Sequence, residues 1–528
     1  MRGSSWKTAW VVVVVCGGAA TAADPIAVTR LEPPGAAAGS TIQVRLHGTL
    51  PRWPLAVWSD RPGITWRPLE TSGVYEVTVA ATDSVGVHRL RFHDAAGASV
   101  VKRFVVGMER EASEAEPNDL PAKAMSLTDL PVTVSGVLDK AADVDCFAVT
   151  LAAGQTLVAS VDAHGGLGAP LDAVLEIVSP RGGYLARNLD ARGLDPRIVF
   201  RAARDGTHVV RVFAFPVEPN STIGLASGAE YVYRLTLATG PFLAGTLPLA
   251  VPADAAVPAL VPLGWNLPET AGQATVAAGD GDTAWVAFPG VAGAVEVPRV
   301  RATIVSGRSG GESAVVTVPY VASGCIDQPG GHVTHRFTAT AGSRLAIALA
   351  SHGAGFDLDS TLEILDATGM RVFASADRDA NAVWTVPADG EYRLVVRDRR
   401  KTAGPDRLYR VTVVAEAPQL ACASEAESVT AAVGAAAEIA VIVDRQRGWA
   451  EPVEIGLLDP PPGVVAPPVV SAVDGDTAKK VTLAVTAAVS FAGPLRIVAR
   501  RPGGGDVVSR VACGKEKLPT LWFTAAPP

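Results

Sequence analysis

The chain has 528 residues, of which 48% are hydrophobic, 19% are charged and 6% are aromatic. At about 150 residues per domain, this length predicts three to five domains. Glycine (52 residues) and proline (39) exceed average usage, which favours short strands joined by turns over long helices. The formal net charge of −7 gives no basic footprint and argues against nucleic acid or an anionic membrane as the partner.

Residues 1–23 predict a secretory signal peptide. Arg2 and Lys7 give a positive start, residues 9–15 are apolar, and Ala20 and Ala22 frame a small-residue cleavage pattern. Later apolar stretches are interrupted before the ~20 residues that a membrane-spanning helix needs, so no transmembrane segment is expected. Lipid attachment at Cys16 is the minor alternative. The expected location is secreted, periplasmic or at the cell surface.

Four cysteines remain after the signal peptide, too few to stabilise a chain of this size by disulfides alone. Cys422 and Cys513 flank the last segment, before its first strand and at the end of a late one, and a bridge between them is one possibility. Cys146 and Cys325 lie in different predicted domains, where buried free thiols are expected.

Alternating apolar and polar residues predict β-strands along the whole chain. Residues 41–47 and 75–79 alternate clearly, with turn clusters between them, so residues 24–108 predict an immunoglobulin-like sandwich. An acidic stretch follows at 109–119 and indicates a linker or the entry to a new domain. Residues 240–317 are proline-rich and predict an immunoglobulin-like or irregular β-domain, and residues 424–523 predict a further immunoglobulin-like sandwich.

Four short motifs recur in the same order, which predicts a duplicated domain at 113–238 and 318–415. The paired motifs begin at Ala153 and Ala341, Leu171 and Leu358, Asp205 and Asp389, and Tyr233 and Tyr409.

The duplicated segment resembles the bacterial pre-peptidase C-terminal domain, a jelly-roll-like β-sandwich appended to secreted peptidases and other exported proteins. The match covers the first copy well and the second in part, and the second is a degenerate copy. The resemblance implies an all-β protein of serial sandwich domains. The residues that carry it are Glu116-Pro117-Asn118-Asp119, Ser135-Gly136, Asp143 to Phe147, Ala153-Gly154-Gln155, Leu171-Asp172, Asn188, Asp190, Asp205-Gly206-Thr207 and Tyr233.

The acidic stretch offers the one set of side chains with a definite chemistry. In an extended chain Glu114, Glu116 and Asn118 project to one face, and Asp119 adds a further oxygen donor. Asp143 and Asp145, two residues apart before the next strand, could converge from the other side. Ca²⁺ takes six to eight oxygen ligands, and a cation would relieve the repulsion among these carboxylates. The alternative is a solvated acidic linker in which Asn118 and Asp119 cap a turn.

Collagen-binding modules of secreted collagenases, which are similar to this unit, use the same motif for calcium. The resemblance therefore implies a Ca²⁺ site in the first copy. The second copy has Val333 and His335 where Asp143 and Asp145 would stand, and no metal is expected there.

Two other features are candidate sites. Trp53, Trp58 and Trp66 could form an exposed stacking platform for sugars, although core positions are commoner for aromatics in a sandwich. Residues 307–311 match the G-x-S-x-G pattern of a nucleophile elbow, but a strand-like segment follows instead of the helix that this motif needs, which favours a glycine-rich hairpin loop.

These observations predict a secreted, non-catalytic multidomain protein that binds or scaffolds an extracellular or envelope polymer, either a polysaccharide or a protein. Calcium would order the junction between the first two domains. The competing hypothesis is an accessory region of a secreted hydrolase or peptidase, or a divergent hydrolase itself.

Overall fold

The computed structural model describes residues 24–81, 84–217, 224–270, 272–279 and 281–527; the predicted signal peptide lies outside these ranges. Within them the chain forms forty-four strands, the short helix α1 (His164–Leu167) and two 3-10 turns (Pro121–Lys123 and His352–Ala354). The prediction of an all-β protein is confirmed. The strands form five groups, named units 1 to 5 below.

Unit 1 (residues 27–107) is a sandwich of two four-stranded sheets. Its strands are β1 (Ala27–Glu32), β2 (Gly35–Ala37), β3 (Thr41–Thr49), β4 (Ala56–Ser59), β5 (Ile64–Pro68), β6 (Val74–Val79), β7 (Gly86–His93) and β8 (Lys102–Gly107). The sheet orders are β1-β3-β6-β5 and β2-β8-β7-β4. Val44, Leu46 and Val77 point into the core from β3 and β6, which is the face that the alternating sequence predicts.

Unit 2 (residues 110–238) has two five-stranded sheets. Its strands are β9 (Arg110–Ser113), β10 (Met125–Ser126), β11 (Val132–Val137), β12 (Asp145–Leu151), β13 (Thr156–Asp162), β14 (Leu171–Val178), β15 (Tyr184–Asn188), β16 (Arg197–Arg201), β17 (Gly206–Pro216) and β18 (Val232–Ala238). The sheet orders are β10-β12-β17-β14-β15 and β16-β13-β18-β11-β9. The acidic stretch is therefore partly a strand, since β9 pairs in parallel with β11.

Unit 3 (residues 242–300) is the smallest and shares its core with the next unit. Leu243 and Phe288 pack in one cluster with Phe356 and Leu408 of unit 4. Its strands are β19 (Phe242–Leu247), β20 (Val251–Pro252), β21 (Val261–Trp265), β22 (Thr275–Ala278), β23 (Thr283–Ala287) and β24 (Val295–Val300). β19 pairs with β21, and the other sheet has the order β20-β24-β23-β22.

Unit 4 (residues 303–415) repeats the strand order of unit 2. Its strands are β25 (Thr303–Arg308), β26 (Val316–Thr317), β27 (Tyr320–Cys325), β28 (His332–Ala339), β29 (Arg344–Ala350), β30 (Ser360–Leu365), β31 (Arg371–Ser375), β32 (Asn381–Thr385), β33 (Gly390–Asp398) and β34 (Leu408–Ala415). The sheet orders are β26-β28-β33-β30-β31 and β32-β29-β34-β27-β25. Strands β25 and β26 pair with β27 and β28, so this unit begins earlier than the sequence-based boundary at 318.

Units 2 and 4 have the same cross-strand pair at the same place in the fold. Gly136 lies opposite Tyr233 in unit 2, and Gly324 lies opposite Tyr409 in unit 4. In each case the tyrosine ring covers the glycine so closely that an added Cβ would come within 2.3 Å of the ring in unit 2 and 2.2 Å in unit 4. A bare glycine is therefore required at both positions, and the pair gives a fixed register for comparing the units.

Unit 5 (residues 419–526) is one continuous ten-stranded ladder wrapped around a single core. In β37, Ile439, Val441 and Val443 are buried and the intervening residues are exposed. Its strands are β35 (Gln419–Ser424), β36 (Ser428–Ala432), β37 (Ala437–Gln446), β38 (Val453–Leu458), β39 (Val464–Val465), β40 (Val469–Ser471), β41 (Lys480–Ala487), β42 (Phe491–Arg500), β43 (Val507–Cys513) and β44 (Leu521–Ala526).

The units pack against one another, and the last contacts the first. Arg91 of unit 1 donates to Glu427 of unit 5 at 2.8 Å, and the ring centroids of Trp58 and Trp522 lie 5.9 Å apart. The carboxylate of Glu109 accepts a hydrogen bond from the backbone N–H of Gly293 in unit 3 at 2.5 Å. The chain thus closes on itself around a central junction of units.

Candidate metal centre

The acidic stretch is held against unit 2 by hydrogen bonds and ion pairs. Glu111 pairs with the buried guanidinium of Arg234 at 2.6 Å, and the backbone N–H of Glu114 donates to the Ser135 carbonyl at 3.0 Å. A solvated linker is therefore the wrong description of this part of the stretch. Beyond β9 the chain reaches the start of β12 in the facing sheet, where the Tyr233 hydroxyl joins Glu114 to Asp145.

An inner group of carboxylates surrounds the hydroxyl of Tyr233. This hydroxyl lies 3.0 Å from Glu114 Oε2 and 2.6 Å from Asp145 Oδ2. The other Glu114 oxygen accepts the backbone N–H of Val137 at 2.7 Å. Burial, with the charge of the neighbouring Glu114, raises the pKa of Asp145. Two acidic groups here share one buried space and a single hydroxyl donor.

An outer group surrounds the ammonium of Lys140. Its Nζ lies 2.5 Å from Glu116, 3.1 Å from Asp119 and 3.5 Å from the buried Asp143. The ligand oxygens of these three carboxylates all lie within 4.8 Å of one another. The hydrogen bond to Glu116 and the other acidic groups raise the pKa of Lys140, while burial raises that of Asp143.

Asn118 lies beside Glu116, whose carboxylate accepts its backbone N–H at 2.7 Å, and its side chain is completely buried. Neither its Oδ1 nor its Nδ2 has a hydrogen-bond partner among the described residues, and the same holds for Asp145 Oδ1. Asp143 Oδ1 also lacks a hydrogen bond and has only the Lys140 ammonium nearby, at 3.5 Å. Buried polar atoms are normally satisfied, so these under-satisfied oxygens beside an acidic cluster point to a group that binds oxygen. Carboxylate and amide oxygens fit a hard cation such as Ca²⁺.

The six residues singled out in the sequence therefore lie in two adjoining groups. Glu116, Asp119 and Asp143 come together, Glu114 and Asp145 meet at Tyr233, and Asn118 is buried beside them. Lys140 was not among the residues expected at this site. The sequence feature that indicates this contact is the three-residue spacing between Lys140 and Asp143, because a turn at this spacing brings the two side chains together.

Unit 4 carries different chemistry at the equivalent positions. Aligned on the glycine–tyrosine pair, Gly307 stands where unit 2 has Glu114. Aligned on the glycines that begin β17 and β33, Val333 stands where unit 2 has Asp145, and His335 where it has Phe147. His335 Nε2 lies 2.9 Å from the Tyr409 hydroxyl, and burial lowers the pKa of His335 to about 4. The expectation that Val333 and His335 replace Asp143 and Asp145 was therefore two residues out of register. In place of the inner carboxylates unit 4 has a glycine and a valine, and a neutral imidazole contacts the tyrosine hydroxyl.

The three tryptophans do not form a platform. Trp53 and Trp66 pack edge-on against Tyr75 and belong to the core of unit 1, with interplanar angles of 71° and 79°. Trp58 contacts Trp522 of unit 5 at 66°. The alternative of coplanar, exposed rings is therefore wrong: Trp53 and Trp66 take the core positions that the sequence favoured, and Trp58 lies in the contact between units 1 and 5.

The proposed Cys422–Cys513 bridge is not formed; both thiols are free and buried. The strands are adjacent, but Cys422 lies opposite Val511 and Cys513 opposite Ser424. An offset of two residues places the Cα atoms about 8 Å apart, beyond disulfide geometry. Burial raises the pKa of Cys422 to about 11 and that of Cys513 to about 12, so both remain thiols at neutral pH. The buried free thiols expected at Cys146 and Cys325 are observed.

The G-x-S-x-G segment is not a hairpin but the crossover from β25 to β26, which lie in opposite sheets. The Ser309 hydroxyl accepts the backbone N–H of Asp327 at 3.0 Å, and the backbone N–H of Ser309 donates to the Asp327 carboxylate at 3.2 Å. This serine closes a loop.

No family model matches the chain. Over 98 residues it is 37% identical to a probable subtilase-type serine protease of Deinococcus radiodurans; this match covers 18% of the chain and only 14% of the protease. In the described part of the structure no helix is long and apolar enough to cross a membrane.

Two solved structures align with low scores. The pre-peptidase C-terminal domain of a collagenase from Bacillus anthracis is 17% identical, with a TM-score of 0.17, and covers 24% of this chain and 99% of that domain. The fibronectin(III)-like modules of Clostridium thermocellum CbhA are 13% identical, with a TM-score of 0.14; the match covers 36% of this chain and 88% of the CbhA chain.

Proposed function

We propose that the protein is a secreted, non-catalytic binding or scaffolding protein of an extracellular or envelope polymer, and that units 2 and 4 are copies of one domain. Calcium orders the junction between units 1 and 2. The observation that carries the calcium part is the set of buried oxygens without a hydrogen bond on Asn118, Asp143 and Asp145, beside the outer carboxylates.

Calcium would be held by the outer group, Glu116, Asp119 and Asp143, with Asn118 beside it, and by Glu114 and Asp145 where the inner group adjoins. The ion supplies positive charge that neutralises carboxylates now facing one another at short range. Because these side chains follow β9 directly, neutralising them stabilises the entry of the chain into unit 2. Lys140 supplies one positive charge at the same oxygens and competes with the ion.

Calcium is tested on the full chain after chelator treatment. Millimolar Ca²⁺ is expected to raise the melting temperature by several degrees, because a ligand that binds the folded state alone stabilises it by mass action. Asp143→Asn should abolish the shift, whereas the matched control Glu391→Gln, at an exposed ion pair in unit 4, should retain it. An unchanged melting curve for the stripped wild-type protein would exclude the site.

Lys140→Met gives an independent test of the same site. It removes the competing ammonium and keeps every carboxylate, so the calcium concentration at half-maximal shift should fall. A weaker response would mean that Lys140 supports the site rather than competes with the ion.

The non-catalytic part is supported by the state of the nucleophiles and bases. Ser309 is engaged in a loop, the four cysteines are buried with raised pKa values, and burial lowers the pKa of both His88 and His335 to about 4. Binding to immobilised polysaccharides and matrix proteins should be saturable for at least one polymer. Flat binding curves across the panel would count against this function.

The second candidate is an accessory region of a secreted peptidase, favoured by the 98-residue match to a probable subtilase-type protease. An accessory region is non-catalytic as well, so labelling of the full chain with a fluorophosphonate, together with casein hydrolysis, tests the other form of this candidate, a divergent hydrolase. Covalent labelling would show a reactive serine and overturn the non-catalytic proposal.

A further inference from the structure

A cavity of about 480 Å³ lies where units 1 to 4 meet, within the ~300–1,000 Å³ typical of small-molecule sites. Positive side chains outnumber negative ones on its wall. The charged lining residues are five arginines (Arg89, Arg103, Arg192, Arg197 and Arg410) and three acidic residues (Asp162, Asp195 and Glu296).

The three carboxylates already have partners. Asp162 forms an ion pair with Arg192, and Glu296 accepts the Thr283 hydroxyl at 2.7 Å. Asp195 accepts three backbone N–H groups of residues 163–165, at 2.8 to 3.2 Å. Three of the five arginines also have a carboxylate partner, since Arg89 pairs with Asp60, Arg103 with Glu516 and Arg192 with Asp162. The surplus therefore consists of the two wall cations that have no carboxylate ion pair among the described residues, Arg197 and Arg410.

Arg410 shows how the surplus arises. It stands in unit 4 where unit 2 has Arg234, next to the register tyrosine. Arg234 pairs with Glu111, but the position equivalent to Glu111 is Ile304 in unit 4. Asp162 lies opposite Arg234, and its equivalent opposite Arg410 is Ala350. Unit 4 has kept the guanidinium and lost both carboxylates.

Arg197 is the second cation without a carboxylate ion pair in the described ranges. Its Nε donates to the Ser160 hydroxyl at 3.2 Å, and its guanidinium lies 5.1 Å from the ring centroid of Phe242 and 5.6 Å from that of Trp265. Burial, with the charge of Arg192, lowers the pKa of Arg197 to about 9. A cation in this environment gains from an anion placed beside it.

We propose that this cavity binds a small oxyanion, either free phosphate or sulfate or the carboxylate of an acidic sugar, with Arg410 and Arg197 as its ligands. A planar guanidinium matches such oxygens with paired hydrogen bonds. Desolvating a charge without a partner is costly, and the oxyanion removes that cost. The site is separate from the calcium centre and does not depend on it.

The test uses the full chain, with thermal shift and calorimetric titration against phosphate, sulfate and glucuronate at constant ionic strength, and glucose as the neutral control. Arg410→Gln should weaken binding about tenfold or more, since a charged hydrogen bond is lost. Ile304→Glu copies Glu111 and supplies an internal carboxylate, so it should raise the melting temperature without anion and lose the response. Arg344→Gln, at an exposed ion pair of the same unit, should respond like the wild type.

A response to glucuronate but not to phosphate or sulfate identifies an acidic saccharide, and the reverse identifies a free tetrahedral anion. The proposal is overturned if no anion shifts the wild type, or if Ile304→Glu and Arg410→Gln both respond like Arg344→Gln.

Discussion

Glu111→Ile gives unit 2 the residue that unit 4 has at the same position. The Arg234 side chain is only 2% exposed and pairs with Glu111 at 2.6 Å, so the substitution leaves a buried guanidinium whose remaining acidic neighbour, Asp162, is already paired with Arg192. Removing one partner of a buried ion pair costs about 3–5 kcal/mol. At the size of unit 2, this corresponds to a fall in melting temperature on the order of 10 °C.

Scanning calorimetry of the full chain measures this effect. The double variant Glu111→Ile/Arg234→Met should recover most of the loss, because replacing both partners with apolar residues removes the unpaired charge. Glu76→Ile is the matched control: it breaks the exposed pair with Arg67, whose contribution is about 0–1 kcal/mol. The reasoning is refuted if Glu111→Ile costs no more than Glu76→Ile, or if the double variant is as unstable as the single one.

Three further predictions concern other parts of the fold. Gly136→Ala should destabilise the protein by about 1–3 kcal/mol, measured by urea unfolding, because its Cβ would lie 2.3 Å from the Tyr233 ring. Between pH 6.5 and 4 the unfolded chain binds a proton at His335 that the folded chain does not, so the free energy of unfolding decreases by up to about 3 kcal/mol as the pH is lowered through this range. His335→Gln should flatten this part of the pH dependence; an unaltered slope would contradict the prediction. Glu427→Ala leaves Arg91 buried and unpaired, so scattering should show a larger radius of gyration as units 1 and 5 separate; an unchanged radius would show that this pair does not hold them.

The strands were predictable wherever one face of the sheet is buried and the other is exposed to solvent. Residues 41–47 and 75–79 alternate for that reason, and both form strands of unit 1. Two of the recurring motifs also contact each other, because Asp205 accepts the Ala153 N–H at 2.7 Å and Asp389 accepts the Ala341 N–H at the same distance. These two motifs therefore recur together because their residues are in contact in both units.

The start of unit 4 was not predictable in the same way. β25 and β26 are short and half-exposed, and each joins its sheet through parallel pairing with a later strand. Periodicity within 303–317 carries no information about that pairing, so the segment was assigned to its neighbours in sequence.

The candidate site was predictable only where its members are close in sequence. The acidic residues near 116 and 143 were found from local spacing. The hydroxyl that joins Glu114 to Asp145 belongs to Tyr233, 88 residues beyond Asp145, and spacing cannot show such a contact. Orphaned buried oxygens such as Asn118 Oδ1 are likewise visible only in three dimensions.

The contact between Arg91 and Glu427 joins residues 336 positions apart, and this bears on the order of folding. Closing a loop of that length in an unfolded chain costs roughly 5 kcal/mol of entropy. Units 2 to 4 shorten the path only once they have folded, so docking of unit 5 is a late event. Until then the ring of Trp58 has no Trp522 to cover it, and the partly synthesised protein exposes an apolar face.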